Sequence, residues 1–257
     1  MTTLHQEREL VVMVGATGAL GETVARRLVE SGLHLIAVGR SEDDLKKLVN
    51  SSEHMSYCIA DIGDDSAIEK IKAVVSKMNR TVRMVVHAAG VPVAGGVLEA
   101  NPLALSQAIN IKAGGMMRLQ RAVDAHLVRG SRLVAVGGHY GFEPTAYAAT
   151  AGVANAGLTN LMRQFSWALG GRGITAHLVA PGPADTERLR NVANARAAQR
   201  GISVEEVFDE LKEESAIHAF TTPQQVAWGI CLLLAPEADA MAGSSLMLDS
   251  GRRRGLP

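Results

Sequence analysis

Seven short apolar runs, separated by stretches with helical spacing of apolar residues, restrict the fold of this chain more than any other feature. The runs lie near residues 10–14, 33–38, 55–60, 82–88, 131–137, 174–180 and 244–249. Continuous apolar runs are typical of strands buried on both faces, and their alternation with helices is typical of a parallel sheet covered on both sides. We predict a doubly wound α/β fold whose two longest helices lie near 102–129 and 152–170.

Length and composition indicate one domain over residues 1–257. With 257 residues, 47% hydrophobic and 20% charged, the chain can bury one large core but not two. The segment 187–222 is rich in Arg, Ala and Glu and follows the sixth strand, where such sheets place loops over the substrate. We therefore predict that 187–222 forms a substrate lid within the domain.

The charge balance limits the class of partner. The formal net charge is zero and the pI is about 7.1, whereas nucleic acid and anionic membranes attract a positive field. We predict a small-molecule partner, with neither nucleic acid nor membrane as the main one. Arg252, Arg253 and Arg254 are the one basic run, which we interpret as a solvated tail.

The two cysteines and the N-terminal sequence favour a cytoplasmic protein. Cys58 and Cys231 are far apart and lie in apolar runs, as buried reduced thiols do, so we predict neither a disulfide framework nor a metal site. The first eight residues lack an apolar signal region, and no apolar run approaches the ~20 residues needed to cross a bilayer.

A glycine-rich turn follows the first strand directly. Val14 is followed by Gly15-Ala16-Thr17-Gly18-Ala19-Leu20-Gly21 and then by a helical stretch. Glycines at such a turn let the backbone approach a pyrophosphate, which binds the unpaired amides at the helix N-terminus. The flanking strand and helix are the context that this motif requires. We predict a dinucleotide site here; the alternative is a tight turn with no ligand.

The segment from Leu133 to Thr186 identifies a family. A buried strand ends in Gly137-Gly138, a helix of small residues follows, and then Gly173-Ile174 and a strand ending in Pro181-Gly182. This order resembles the short-chain dehydrogenase/reductase family, whose strand carries a Ser and whose helix carries Tyr-x-x-x-Lys. The resemblance extends over nearly the whole chain and implies a seven-stranded Rossmann sheet.

The catalytic side chains of that family are missing. The family's intervals place the Ser at Gly138, the Tyr at Ala151 and the Lys at Asn155. A second register begins at Tyr147, but it fits the intervals less well and still lacks the Lys. We favour the first register, in which only Asn110 of the family's tetrad remains. The alternative for Asn110 is that it marks a local bulge in its helix.

The resemblance also implies the cofactor residues. They are Gly15, Thr17, Gly18, Leu20, Gly21, Asp61, Ile62, Ala88, Ala89, Gly90, Asn155, Pro181, Gly182 and Thr186. Two positions depart from the family: Ala19 replaces a glycine, and His87, which we interpret as structural, replaces an Asn. At Gly39 the acidic residue typical of NAD-dependent members is absent, and Arg40 can meet a 2′-phosphate. We predict NADP(H) in preference to NAD(H), although Glu42, Asp43 and Asp44 would weaken a phosphate site.

Three side chains can replace the missing proton donor. They are His139, Tyr140 and Tyr147. Carbonyl reduction places negative charge on oxygen, so a donor must be close to it. Tyr147 precedes Ala151 by a whole helical turn and requires an irregular backbone, which Pro144 favours. His139 follows the Ser position directly and is able to titrate near neutral pH.

These patterns lead to one main hypothesis and two alternatives. We predict an NAD(P)-dependent oxidoreductase with a substituted or missing proton donor. The alternatives are a nucleotide-binding protein without turnover, and a non-redox enzyme on the same fold. The resemblance also implies a homodimer or homotetramer formed through the two longest helices. Their apolar positions include Leu105, Ile109, Met116, Phe165 and Trp167.

Overall fold

Seven parallel strands form one sheet in the order β3-β2-β1-β4-β5-β6-β7. The structure, a computed structural model, describes residues 7–91 and 95–254. The strands are β1 Leu10–Val14, β2 His34–Gly39, β3 Met55–Ile59, β4 Val82–His87, β5 Leu127–Val136, β6 Thr175–Pro181 and β7 Ser245–Leu248. The predicted doubly wound α/β fold is confirmed, and the predicted strands differ mainly at their ends.

Helices cover both faces of the sheet. They are α1 Ala19–Glu30, α2 Glu42–Val49, α3 Ser66–Met78, α4 Pro102–Ile109, α5 Gly115–Val123, α6 Ala149–Leu169, α7 Glu187–Arg200, α8 Val204–Glu213 and α9 Pro223–Leu232. Side chains alternate along a strand, so Val11 and Met13 pack against α1, α2 and α9, while Val12 and Val14 pack against α3, α5 and α6. Each face of the sheet therefore buries its own apolar cluster.

The helix predicted near 102–129 is shorter and interrupted. A π-helix, Asn110–Gly114, separates α4 from α5, and a 3-10 turn, Asp124–His126, precedes β5. The strand begins earlier than predicted because Leu127 is buried and pairs with Val82 of β4. Long-range pairing has overridden a local pattern that favours helix.

Two interpretations of surface residues need correction. Met116, expected at a subunit interface, belongs to α5 and is fully buried in the core. Arg252 is not part of a solvated tail: it is only 6% exposed, donates to the Leu211 carbonyl at 3.0 Å and pairs with Glu214. The guanidinium can be buried because it pairs with a carboxylate and donates a hydrogen bond to a carbonyl oxygen.

Among the described helices, none is long and apolar enough to cross a membrane.

The segment after β6 packs largely against itself. Helices α7 and α8 share a small apolar cluster that includes Ala193, Ala197, Val207 and Leu211, separate from the clusters of the sheet. A capping box at Ser203 fixes the start of α8. This segment therefore forms a small unit beside the carboxyl ends of the strands.

Candidate functional site

The turn between β1 and α1 is shaped by close backbone contacts. Gly15 has φ +84°, and a Cβ there would lie 2.6 Å from the Ala88 carbonyl oxygen. A Cβ on Gly21 would lie 1.9 Å from the Gly15 carbonyl oxygen. The helix starts at Ala19, and its N-cap Gly18 has no side chain to cap the first amides. The helix N-terminus therefore presents donors suited to an anion.

A cavity of about 240 Å³ opens beside this turn, at the carboxyl ends of the strands. Many predicted site residues line it: Leu20, Gly90, Gly138, His139, Tyr140, Tyr147, Ala151, Asn155, Pro181, Gly182 and Thr186. These residues come from the loops after β1, β4, β5 and β6 and from α6. Ligands of parallel α/β sheets bind at this edge.

Other predicted cofactor residues lie outside the cavity wall. Thr17 and Gly18 are exposed at the α1 turn, and Ala88 and Ala89 are partly buried after β4. Asp61 accepts a hydrogen bond from the Gly63 amide at 2.9 Å, which orders the turn after β3. Ile62 is buried, with its side chain close to α5. These residues follow the carboxyl ends of β1, β3 and β4.

Arg40 follows β2 and is exposed. Of the acids beside it, Glu42 pairs with Lys46 at 2.8 Å and Asp44 lies 3.7 Å from Lys47. The Ser41 hydroxyl accepts from the Asp44 amide and caps α2. These lysines offset part of the negative charge near Arg40.

The three positions that match the family's Ser, Tyr and Lys are close together. Ala151 and Asn155 lie one turn apart on α6, and both are buried against the cavity. A Cβ built on Gly138 would lie 3.0 Å from Asn155 Nδ2, so the amide occupies space beside the missing side chain. The Oδ1 atom of Asn155 is buried and has no hydrogen-bond partner among the described residues. None of the three offers an acidic proton.

Tyr147 lies in the turn before α6, which begins at Ala149. Its hydroxyl is 2.9 Å from the Tyr140 hydroxyl, and the two rings meet edge to face at 5.7 Å. The guanidinium carbon of Arg196, from α7, lies 4.3 Å from the centroid of the Tyr147 ring. The two tyrosines line both this cavity and a second one of about 340 Å³.

The two phenols differ in acidity. Burial and the hydrogen bond to Tyr147 raise the pKa of Tyr140 to about 12. Burial acts in the same direction on Tyr147, but hydrogen bonding from Tyr140 and Arg196, with the positive charge of Arg196, outweighs it and lowers the pKa of Tyr147. Tyr147 is therefore the stronger acid of the pair.

His139 is only 4% exposed, in the 3-10 turn after β5. Burial, with a contribution from the Arg252 charge, lowers the pKa of His139 to about 4. The imidazole is therefore neutral near pH 7, where it can accept a proton but has few to donate. This environment differs from the near-neutral titration that the sequence predicts.

Asn110 and His87 hold backbone in place. Asn110 Nδ2 donates to the Gly63 carbonyl at 2.8 Å, and its Oδ1 accepts from Arg118 at 2.9 Å. Asn110 is not among the residues that line the cavity, and it begins the π-helix, as the bulge interpretation expects. His87 is fully buried, with Nε2 2.9 Å from the Ile111 carbonyl oxygen. Both side chains tie the π-helix to the sheet.

Two charged residues of the cavity were missed by sequence reasoning. Lys112, in the π-helix, is only 6% exposed and lines the cavity, and Arg196 reaches it from α7. A lysine between Ile111 and Ala113, in an otherwise apolar stretch, is the signal by which Lys112 could have been found. Arg196 gave no signal, because the segment 187–200 contains several arginines.

Comparisons with known proteins agree over almost the whole length. A family model described as "Enoyl-(Acyl carrier protein) reductase" matches residues 15–253. A putative ketoacyl reductase of Streptomyces coelicolor is 26% identical over 254 residues, covering 96% of this chain and 97% of the relative. The short-chain reductase protein NovJ of Streptomyces niveus is 27% identical, covering 98% and 97%.

Solved structures share the fold. An actinorhodin polyketide ketoreductase variant, solved with NADPH, has a TM-score of 0.87 at 24% identity, covering 95% of this chain and 97% of that one. L-sorbose reductase of Gluconobacter frateurii, solved with NADPH and L-sorbose, has a TM-score of 0.88 at 17% identity, covering 97% and 98%. With the family match over most of its length, the chain belongs to the short-chain dehydrogenase/reductase family of NAD(P)-dependent oxidoreductases.

Proposed function

We propose that this protein transfers hydride between NADP(H) and a carbonyl or alcohol substrate, with Tyr147 as the proton donor. One observation carries the proposal: Tyr147 lines the cavity, its hydroxyl is hydrogen-bonded to that of Tyr140, and the Arg196 guanidinium lies over its ring. A phenol that donates a proton needs a neighbour that stabilises the phenolate, and a cation does so. The pair of Tyr147 and Arg196, both outside α6, thus replaces the Tyr–Lys pair that α6 lacks.

The residues present fit a dinucleotide. The α1 N-terminus and the close contact of Gly15 with Gly21 leave a cradle for phosphates. The buried Asn155 Oδ1, without a partner among the described residues, is an acceptor that a ligand donor can satisfy. When bound, the cofactor supplies or accepts the hydride. The chain's own residues orient it, exclude water and move the proton.

NADP(H) is favoured over NAD(H). Arg40 lies at the end of β2 with no ion pair to a described residue, while Glu42 and Asp44 have lysine partners. Its planar guanidinium suits a 2′-phosphate. The two structural neighbours solved with NADPH support the same preference.

Among the three candidate donors, Tyr147 has the most favourable environment. His139 is neutral at pH 7 because burial lowers its pKa to about 4, so it carries little transferable proton. Tyr140, with a pKa raised to about 12, is a weaker acid than an ordinary phenol. In this proposal the Tyr140 hydroxyl donates to that of Tyr147, whose pKa is lowered. In the oxidative direction the same groups would accept the proton at Tyr147.

The segment 187–222 acts as the substrate lid in this proposal. Leu189, Val192 and Arg196 of α7 and Leu211 of α8 line the cavity, as do Leu20 and Val91. Their apolar side chains suit a substrate with a hydrocarbon body, and Arg196 brings the positive charge to Tyr147. The acidity of Tyr147 therefore depends on the position of the lid, because Arg196 belongs to the lid.

A homodimer or homotetramer is also part of the proposal. Large apolar side chains remain exposed on α4, α5 and α6: Leu103, Ile109, Met117, Val153 and Trp167. Trp167 is the most exposed of these five side chains, at 88%. Exposed apolar groups of this size on neighbouring helices favour an interface. Light scattering at micromolar concentration is expected to give a mass of at least two chains, and a monomer would contradict it.

A second function is favoured by the substituted positions. Gly138, Ala151 and Asn155 have no proton to donate, as expected of a protein that binds NADP(H) without turnover.

The test measures NADPH binding by calorimetry and NADPH consumption with a panel of aliphatic, cyclic and aromatic ketones. Turnover by the native protein supports the oxidoreductase. Binding without turnover, together with activity gained by the triple variant Gly138→Ser, Ala151→Tyr and Asn155→Lys, would support the second function instead. Absence of NADPH binding would overturn both.

A further inference from the structure

A buried arginine after β7 holds the end of α8. The Arg252 guanidinium pairs with the Glu214 carboxylate, and its Nη1 donates to the Leu211 carbonyl at 3.0 Å. Carbonyls in the last turn of a helix lack partners within the helix, and a cation there also interacts favourably with the helix dipole. Arg252 therefore fastens the last turn of α8 to the segment that follows β7.

The turn that carries Arg252 is anchored to the sheet. Asp249 directly follows β7 and is buried, and its carboxylate accepts from the amides of Gly251 and Arg253 at 3.1 Å each. Gly251 has φ +76°, and a Cβ there would lie 2.7 Å from the Cβ of Ala216, just after α8. The position of Arg252 is therefore set by the sheet, and α8 is held against it.

Helices α7 and α8 are joined to each other. They share one apolar cluster, and Arg200 of α7 donates to the Glu210 carboxylate of α8 at 2.8 Å. Arg196 directly precedes Ala197, a member of that cluster, and its guanidinium carbon lies 4.3 Å from the centroid of the Tyr147 ring. A contact that holds α8 therefore also holds Arg196 over Tyr147.

We propose that Arg252 is a positioning residue for the reaction: by binding the end of α8 it keeps the lid, 187–222, over the cavity and Arg196 beside Tyr147. The inference rests on the proposed function, which assigns the proton donor to Tyr147. Among the described residues, those that line the first cavity do not include Arg252. Arg252 lines the second cavity, together with Glu214 and Tyr147, and acts on the first through the lid.

Other charged and titratable groups lie near Arg252. Besides Glu214 they are the Asp249 carboxylate after β7, and His139 and Glu143 in the loop after β5. Burial lowers the pKa of His139 to about 4, so this imidazole is neutral near pH 7. An arginine stays protonated in proteins. A change of activity at alkaline pH is therefore expected from the tyrosines and not from Arg252 or His139.

Arg252 also acts on Tyr147 through its charge. Burial raises the pKa of Tyr147, whereas hydrogen bonds from Tyr140 and Arg196, the charge of Arg196 and, as the smallest contribution, the charge of Arg252 lower it. Arg252→Met removes this charge and also releases α8, and both changes weaken the acidity of Tyr147. A second variant is needed to separate positioning from charge.

Glu214→Gln gives the two effects opposite signs. It keeps the shape of the side chain but removes the negative charge that holds Arg252. Through charge alone, loss of a carboxylate leaves Tyr147 in a more positive field, so the alkaline fall in kcat/KM moves to lower pH. Through positioning, a looser lid withdraws Arg196 from Tyr147, so the fall moves to higher pH.

The first measurement is the pH profile of kcat/KM for ketone reduction with NADPH. We expect the alkaline fall to move to higher pH in Glu214→Gln, and to cause no further shift when this change is added to Arg196→Met. Arg254→Met is the matched control, because it removes an exposed arginine two residues further on and leaves the contacts of Arg252 intact. An alkaline fall that stays in place or moves to lower pH in Glu214→Gln would overturn the inference.

Hydrogen exchange tests the lid without turnover. In Arg252→Met the amides of α7 and α8 are expected to exchange about tenfold faster or more, as loss of a charge-assisted hydrogen bond implies, and in Glu214→Gln by a smaller factor. Amides of β1 and β4 should keep their native rates, which shows that each variant is folded. Native exchange rates in α7 and α8 of both variants would overturn the inference alone, whereas a native protein that reduces no ketone would overturn the proposed function.

Discussion

The two strand-to-helix connections that border the cavity have diverged in opposite ways. The turn between β1 and α1 keeps its close glycine contacts, with Gly21 packed on the Gly15 carbonyl. The connection between β5 and α6 brings to the cavity Gly138, Ala151 and Asn155, the positions at which the resemblance predicts the family's Ser, Tyr and Lys. Backbone groups form the phosphate cradle, and few sequences allow that backbone conformation. Proton transfer depends on side chains, and residues at other positions can supply those.

Removal of the Tyr147 hydroxyl gives the largest expected effect and tests whether the β5–α6 connection is still chemically active. Tyr147→Phe is expected to lower kcat/KM for ketone reduction ~10²–10⁴-fold, as loss of a general acid does. NADPH affinity should be unchanged. Tyr57→Phe, the same chemical change within the edge strand β3, is the matched control and should retain activity. An equal loss in both variants, or none in Tyr147→Phe, would refute the assignment.

The β1–α1 turn is tested through folding. Gly21→Ala places a Cβ 1.9 Å from the Gly15 carbonyl oxygen, and the turn has to open. We expect a loss of about 1–3 kcal/mol in the free energy of unfolding, as for overpacking elsewhere, and loss of NADPH binding. Gly18→Ala is the control for stability, because its Cβ meets only the Gly15 carbonyl oxygen, at 3.6 Å. Urea unfolding that shows equal stability for both variants would disprove this account of the turn.

Cofactor preference provides a third, smaller effect at the end of β2. Arg40→Ala is expected to weaken NADPH binding about tenfold, the value of one charge-assisted hydrogen bond, and to leave NADH binding unchanged. Arg26→Ala, which removes an exposed arginine paired with Glu22 on α1, is the control. Tighter binding of NADH than NADPH by the native protein would contradict the role of Arg40.

The pH dependence of kcat/KM is expected to show the smallest effect, and it distinguishes His139 from Tyr147 as the proton donor. Because the pKa of His139 is lowered to about 4, a reaction that needed protonated His139 would lose rate from about pH 4 upward. If Tyr147 is the acid, kcat/KM for reduction should stay flat from pH 5 to neutrality and fall only as Tyr147 deprotonates.

Arg196→Met removes the charge that lowers the pKa of Tyr147, so this alkaline fall should move to higher pH. Tyr140→Phe should move it in the same direction, since it removes the other hydrogen bond to Tyr147. Profiles that superimpose for the native protein and Arg196→Met would exclude the Tyr147–Arg196 pair as the source of acidity.

The sequence by itself determined the sheet and the glycine turn, and it predicted which positions of α6 face the cavity. Continuous apolar runs can be satisfied only by strands covered on both faces, and Gly15 and Gly21 are required by backbone contact. The register that places Ala151 and Asn155 at the cavity follows from fixed intervals between strands. Each of these depends on local pattern and spacing, which a single sequence displays.

Tertiary structure alone decided which charges meet. Lys112 and Arg196 come to the cavity from a π-helix and from the segment after β6, and Arg252 is buried by Glu214 and Leu211. The same contacts set the acidity of His139 and Tyr147, through burial and through neighbours that are distant along the chain. Burial and long-range charge pairing leave no periodic trace in the sequence, so they become visible only when the chain is folded.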